Sequence, residues 1–339
     1  MSLKQTLRLT HPLIIAPMAG GPTTPDLVAA GCRAGATGFI GAAYMKPEAI
    51  LEACTLVRAK TDRAFGVNLF VTHDTPSVSA PEFEAALIAT LEFRRELGLD
   101  RPALAPPYEE DFEAQFAAVL QARPAALSFV FGILPAEKIR AAQVAGILVF
   151  GGATTLAEAL AVEKAGVDAI VLQGIEAGGH RAILDPRATD EEVPLLELLK
   201  ACRSQLKIPL IAAGGIMNRG HVKRALAAGA ELVQMGTAFL DCREAGTSAP
   251  YRTRLREARV TETTRAFSGR LARGIVNRFM REMKGRPLLP FPAQNKFTRD
   301  LRAAASIQGS SEFLSLWSGT GAGPLWTGSA EDLIKSLFQ

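Results

Sequence analysis

The chain alternates short, wholly apolar runs with longer stretches whose apolar positions recur at helical spacing. Leu13-Ile-Ile-Ala-Pro17 is the first such run, and Met18-Ala-Gly-Gly21 forms the turn after it. Thr24-Pro25 then supplies an N-cap and a first-turn proline for a helix that ends at Ala34-Gly35. Further strands are predicted over 36–42, 64–70, 125–131, 147–150, 168–172, 209–213 and 232–235. Between them lie helices opened by Pro47, Pro135, Thr154 or Thr155, Val193 and Asn218. A longer excursion, 71–123, holds two helical patterns at 81–97 and 110–122. Ala34-Gly35, Ala145-Gly146, Ala165-Gly166 and Ala228-Gly229 each stand where a helix must stop before an apolar run. Glycine there gives the left-handed backbone that ends a helix. Eight such alternations predict a parallel sheet covered by helices, and eight closes a TIM (β/α)8 barrel. An open doubly wound sheet is the rival.

After Leu240 the rhythm changes. Residues 252–284 read as a polar, basic helix, Pro287–Pro292 as an irregular connector, and 297–307 as helix again. Ser329-Ala-Glu-Asp332 resembles a capping box that opens a last helix over 330–338. The expected organisation is a barrel from residues 1–240 and 310–339, with a helical cap, 241–309, inserted after strand eight. The 339 residues are 48% hydrophobic, enough for a large core. The four cysteines show no CxxC spacing, as in a cytoplasmic protein with reduced thiols. The first ten residues are too polar for a signal peptide, and no apolar run is long enough to span a bilayer. The net charge of +4 is uneven, with 14 Lys/Arg against 4 acids between Tyr251 and Arg302. Such a segment could draw an anionic substrate or nucleic acid, or be a solvated helix face.

In a barrel, function collects at the carboxyl ends of the strands. Those ends carry Pro17-Met18, Asn68, Gln173, His180, Gly214-Gly215 and Gln234 to Thr237. No lysine stands among them, which argues against a Schiff-base aldolase. Glu176 is the one acid, which argues against a carboxylate-bound metal, and His11, His73, His180 and His221 lack metal-ligand spacing. What remains is amides and glycines. Gly214-Gly215 after strand seven and Gly236-Thr237 after strand eight sit where this fold cradles phosphate, and Asn68, Gln173 and Gln234 can hydrogen-bond a flat heterocycle. Together they suit FMN, although any single glycine is accounted for by turn chemistry. His180 lies in the glycine-rich loop after strand six, in Val171-Leu-Gln-Gly-Ile-Glu-Ala-Gly-Gly-His-Arg181. It is the strand-end side chain with an ordinary pKa near neutrality, and His73 is the fallback. Ser318-Gly-Thr-Gly-Ala-Gly323 lacks the GxGxxG spacing and is followed by Pro324, so it is set aside as a nucleotide motif.

At these residues the sequence resembles the nitronate monooxygenase family, formerly 2-nitropropane dioxygenases, and its class I in particular. The stretches that carry the resemblance are His11 to Gly21 with Thr24-Pro25, Gly38-Phe-Ile-Gly-Ala-Ala-Tyr44, Asn68-Leu-Phe70, Glu176-Ala-Gly-Gly-His-Arg181, Ala212-Ala-Gly-Gly-Ile216 and Gln234-Met-Gly-Thr237. The resemblance implies oxidation of alkyl nitronates, such as propionate 3-nitronate, by O₂ to a carbonyl compound and nitrite. It implies His180 as the catalytic residue, which would also take the α-proton of a neutral nitroalkane. It places Asn68, Gln173, Gly178, Gly215, Gln234, Met235, Gly236 and Thr237 on FMN, with Ala16, Pro17 and Met18 beside its ring, and Gly179 and Gly214 on the same loops complete the expected cofactor-binding set. The expected partners are the small anionic nitronate and O₂, with a homodimer as the candidate assembly and neither nucleic acid nor membrane. Val130, Phe291 and Asn295 depart from residues common in the family near the substrate. The alternatives are an FMN-dependent NAD(P)H reductase of the quinone or enoyl-thioester type on the same barrel, and a nucleic-acid binder using the basic segment.

Overall fold

A computed structural model describes residues 2–71, 76–257, 260–321 and 325–339. Eight parallel strands close into a barrel: β1 (Leu13–Ile15), β2 (Thr37–Gly41), β3 (Gly66–Phe70), β4 (Ala126–Val130), β5 (Leu148–Ala153), β6 (Ala169–Gln173), β7 (Leu210–Ala213) and β8 (Leu232–Met235). β8 pairs back onto β1, with Ile14 opposite Gln234, so the sheet has no free edge and the doubly wound alternative falls. The strands are apolar throughout because both faces are covered. Leu13, Ile15, Val67, Leu127, Val149 and Leu172 pack outward under the helices. Ile14, Phe39, Phe150, Ile211 and Leu232 fill the interior.

The helix stops behave as their sequence demands. Gly35, Gly146, Gly166 and Gly229 have φ of +83°, +80°, +92° and +104°. Thr24, Thr155, Asn218 and Ser329 cap the helices that begin after them. One element was hidden by its polar composition. A single-turn helix, Leu3–Thr6, is held by a reciprocal Ser2–Gln5 capping box. It turns Leu3, Leu7 and Leu9 onto the amino-terminal end of the barrel core.

The chain after 240 departs from the expected basic helix. It forms a helix (Ala249–Glu257), two antiparallel strands (Thr261–Thr264 and Ala272–Ile275) and a short helix (Arg278–Glu282). Thr261-Glu-Thr-Thr264 is rich in β-branched residues, which favour a pleated surface. Asn277 then restarts a helix by accepting from the Met280 amide at 3.1 Å. The strand Ala272–Ile275 also pairs with Gly179–His180, so the loop after β6 is the third strand of this sheet.

A second apolar core joins Phe93 of the helix Ala80–Glu96, and Leu97 at its carboxyl cap, to Tyr251, Phe279, Phe313 and Leu316. This grouping is wider than residues 241–309, since it recruits the excursion between β3 and β4 and runs on to Leu316. Several basic side chains of this segment form ion pairs within the cap, and only part of each is covered. Arg252 and Arg256 converge on buried Asp241 at 3.1 and 2.7 Å. Arg278 reaches Glu96 at 2.6 Å and Glu282 at 2.7 Å. Arg94, itself buried, holds Asp300 at 2.6 Å. The last helix, Ala330–Phe338, returns to the barrel and packs Leu333, Ile334 and Leu337 into its outer core. Among the described residues no helix is long and apolar enough to cross a membrane.

Gly66 shows how tightly the interior is filled. A Cβ there would lie 2.3 Å from the Phe39 ring, which is buried on every side. Gly66→Ala is expected to cost about 1–3 kcal/mol by overpacking, read as a lower urea midpoint, and an unchanged midpoint would contradict this packing.

Candidate active site

Inward-facing positions alternate along each strand, and the upper layer differs from the lower one. Below, Phe150, Ile211 and Leu232 are large and apolar. Two residues on, Gly152, Ala213 and Gln234 are small or polar, as are Asn68, Ser128 and Gln173 on their strands. This change opens a cavity of about 660 Å³ at the carboxyl ends of the strands. Every candidate position borders it: Ala16, Pro17, Met18, Asn68, Gln173, Gly178, Gly179, His180, Gly214, Gly215, Gln234, Met235, Gly236 and Thr237. His11 and His221 lie elsewhere. His11 stacks on Phe338 at 4.5 Å, and His221 sits in the first turn of the helix Arg219–Ala227, accepting from the Met217 amide at 3.2 Å. His73 lies outside the described residues.

The loop carrying His180 is fixed by a neighbour whose importance its sequence position did not reveal. The Arg181 side chain is fully buried and pairs with Asp190 at 2.6 Å. Its Nη1 donates to the Gly174 carbonyl at 2.7 Å and to Gln173 Oε1 at 2.9 Å. Gln173 Oε1 also accepts from the Ala182 amide at 2.9 Å, while Nε2 donates to the His180 carbonyl at 3.0 Å. Gln173 therefore lines the cavity but engages its amide mainly in holding the loop. Asn68 donates through Nδ2 to Ser128 Oγ at 2.9 Å, which leaves Oδ1 as an acceptor.

The imidazole is packed among rings: Trp317, Phe131, Phe70 and Phe291 lie 5.4, 5.7, 6.1 and 6.3 Å away. Its Nε2 is 2.8 Å from Ser268 Oγ, on the loop between the two cap strands. Burial pushes the His180 pKa down to about 3, with the Arg270 and Arg302 cations adding to the effect, so the ring is neutral at neutral pH. Arg270 lies 3.9 Å over the Phe131 ring and donates to the Ile183 carbonyl. Phe131 has φ +80°, a strained value for a bulky residue, and strain of this kind gathers at functional sites.

Tyr44, Arg299 and Arg302 also border the cavity, and the sequence reading assigned none of them to the site. Asn295 holds Arg302: its carbonyl and Oδ1 accept from Nη2 at 2.6 and 2.9 Å. Burial lowers the Arg302 pKa to about 10, so the guanidinium remains charged at neutral pH. Burial raises the Tyr44 pKa to about 12, against the pull of Arg302 and Arg299, so the phenol keeps its proton. Asp300, between the two arginines in sequence, is engaged by Arg94. Among the described residues lining the cavity there is no carboxylate. The electrostatics favour an anion. Among the described residues no cluster of His, Cys, Asp and Glu could hold a metal ion.

The glycine-rich side completes the outline. Gly214 and Gly215 have φ of +124° and +64°, a backbone that a side chain would strain. A Cβ on Gly178 would lie 2.4 Å from the Gly319 amide nitrogen. Gly319 in turn donates to Thr237 Oγ1 at 3.0 Å, and Thr320 donates to the Glu176 carbonyl at 2.9 Å. The Ser318–Gly321 stretch, set aside as a nucleotide motif, is thus a strap laid on these loops, and Gly319 and Gly321 border the cavity. Thr247 Oγ1, also on the cavity wall, is buried without a partner among the described residues. A deep cavity with cations, unused hydrogen-bonding groups and exposed backbone fits a flat, anionic cofactor.

The profile of the nitronate monooxygenase family matches residues 1–339. A probable nitronate monooxygenase of Staphylococcus aureus (strain Newman) is 37% identical over 341 residues, covering 99% of this chain and 96% of that protein. The chain belongs to the nitronate monooxygenase family. It is a flavin-dependent oxidoreductase on a TIM barrel. The solved nitroalkane oxidase from Streptomyces ansochromogenes superposes with a TM-score of 0.91 at 35% identity, covering 99% of this chain and 96% of that one. FabK from Thermotoga maritima superposes with a TM-score of 0.77 at 27% identity, covering 99% and 94%.

The depressed His180 pKa has a consequence for stability. The unfolded chain binds a proton there as pH falls through about 6.5, whereas the folded protein does so only near 3. Between those values the unfolded state holds more protons, so acidification costs stability. Lowering the pH from 7 to 4.5 is expected to reduce the urea midpoint more for wild type than for His180→Asn. Equal reductions would contradict a depressed pKa.

Proposed function

We propose that this member of the family oxidises alkyl nitronates with O₂ to a carbonyl compound and nitrite, using FMN. The observation that carries this reading is a cavity walled by cations, amides and glycine backbone, with no carboxylate among its described lining residues. Gly214-Gly215 and Gly236-Thr237, roofed by Gly178 and the Gly319 strap, would hold the cofactor phosphate. Ala16, Pro17 and Met18 would flank its ring, and Asn68 and Gln234 would offer it hydrogen bonds. The flavin, when bound, supplies the electron acceptor.

The chain's own side chains do the rest. Arg302 and Arg299 attract the nitronate and would meet a second anionic group such as the carboxylate of propionate 3-nitronate. The aromatic wall of Phe70, Phe131 and Trp317 excludes water beside the reacting carbon. His180 is uncharged and meets the anion as a hydrogen-bond partner. The second task given to it from sequence, removal of an α-proton from a neutral nitroalkane, suits it poorly, because a pKa held down to about 3 makes a weak base. The second apolar core and its sheet form the substrate-side unit. They bring the loop bearing Ser268 and the helix bearing Arg299 and Arg302 to the mouth of the barrel.

Oxygen uptake by the yellow protein tests this reading. Preformed propionate 3-nitronate and alkyl nitronates should drive O₂ consumption and nitrite release, with the parent nitroalkanes about 100-fold slower or more. His180→Ala should lower kcat/KM for nitronates by about 10- to 100-fold, the worth of one hydrogen bond to a charged group. Absence of nitronate-dependent uptake, with rapid anaerobic bleaching of the flavin by NADH, would replace the oxidase reading with that of an NAD(P)H reductase.

A further inference from the structure

The Ser268 hydroxyl has one proton and three polar neighbours. It accepts from the Arg270 amide at 3.2 Å. Two acceptors compete for its proton, His180 Nε2 at 2.8 Å and the Arg270 carbonyl at 3.1 Å. The carbonyl belongs to a residue two positions along the same tight loop, where hydrogen-bond geometry is constrained. The imidazole nitrogen comes from another strand and makes the shorter contact. Ser268 itself is only 1% exposed, so water does not compete for the proton.

The other ring nitrogen is in a different position. Nδ1 has no hydrogen-bond partner among the described residues. It is not sealed either, since the side-chain nitrogens and oxygens that are both buried and unpartnered belong to Arg94, Thr247, Arg254 and Arg270. With His180 on the cavity wall, Nδ1 is the nitrogen left for a ligand. In a neutral imidazole one nitrogen is a donor and the other an acceptor. A lone pair turned toward an anion repels it, whereas an N–H binds it. The cations and the missing carboxylate select anions, so the favourable arrangement has Nε2 as acceptor and Nδ1 as donor. A hydroxyl buried against Nε2 is the group that permits this arrangement.

We infer that Ser268 is a positioning residue that sets the tautomer of His180: its hydroxyl donates to Nε2, so that Nδ1–H is presented to the bound anion. The inference rests on the reading of the cavity as a nitronate site. It adds that the cap hairpin, 88 positions from the histidine in sequence, determines whether the imidazole attracts or repels the substrate. Because Ala272 pairs with His180 in the same sheet, Ser268 and the imidazole are carried as one unit.

The test reads the tautomer directly. The protein has four histidines, and His180→Asn identifies the signal of the ring in question. In flavin-loaded protein labelled with ring-¹⁵N histidine, two-bond proton–nitrogen correlation should show His180 protonated on Nδ1 and neutral from pH 5 to 8. Ser268→Ala should shift the population toward protonated Nε2. It should also raise KM for a nitronate about 10-fold while kcat changes little. Ser268→Thr, which keeps the hydroxyl, should restore both. A wild-type ring protonated on Nε2, or an Ala variant with the wild-type tautomer, would overturn the assignment. If Ser268→Ala does not fold, the wild-type spectrum and the Thr variant still decide it. The spectrum needs no turnover, so a protein that shows the expected tautomer but oxidises no nitronate would refute the proposed function and leave the role of Ser268 standing.

Discussion

The buried Arg181–Asp190 pair is the interaction on which the rest of the site depends. A guanidinium with no exposed surface must have every donor matched, and here the matches come from three directions. Asp190 lies farther along the same loop, while the Gly174 carbonyl and Gln173 Oε1 belong to the end of β6. The Arg181 amide donates to the Leu271 carbonyl at 2.8 Å, which ties the loop to the cap sheet. His180 is therefore placed by a closed network rather than by a flexible loop. Its ring cannot shift without disturbing both the barrel and the cap.

That rigidity explains how a glycine-rich segment can carry a positioned side chain. Gly178 and Gly179 let the backbone pass close under the Gly319 strap and turn with φ +78°. Arg181 and Gln173 then remove the freedom that the glycines introduce. The cap supplies what the barrel lacks: Ser268 at the imidazole, Arg270 stacked on Phe131 beside it, and Arg299 and Arg302 on the cavity wall. Barrel strand ends contribute neutral amides and backbone, and the cap contributes charge. The cavity between them favours an anion because no carboxylate stands among its described lining residues, and the cap acids Asp300 and Asp241 are paired with Arg94 and with Arg252 and Arg256.

The barrel was legible in the sequence because its signals are local. An apolar strand, an Ala-Gly helix stop and a capping Thr, Asn or Ser each lie within a few residues, and they repeat. The position of His180 and of the strand-end amides follows from the same local pattern, so those residues were found together. The cap was not legible. Thr261–Thr264 and Ala272–Ile275 are four residues each, and the latter also pairs with the two-residue strand Gly179–His180, across most of a hundred residues. No periodicity reports such a pairing, and the surrounding arginines read as a helix face. Ser268, Arg299 and Arg302 were missed for that reason. Tyr44 lay inside a motif already quoted, yet only its approach to the cap arginines gives it a place in the site. The Ser318–Gly321 strap was set aside as a nucleotide motif, and its glycines instead serve close contact with the Gly178 backbone and the Met217 side chain.

The central claim is that the glycine loops after β7 and β8 hold a phosphate, so that the cofactor is anchored by its charge. Titrating the flavin-free protein with FMN and with riboflavin, which lacks only the phosphate, tests it most directly through quenching of flavin fluorescence. Charge-assisted hydrogen bonds from those loops should make FMN bind about 100-fold more tightly or better, and raising the salt concentration should narrow the gap only slightly, because the site is buried. Equal affinities for the two flavins would contradict the account.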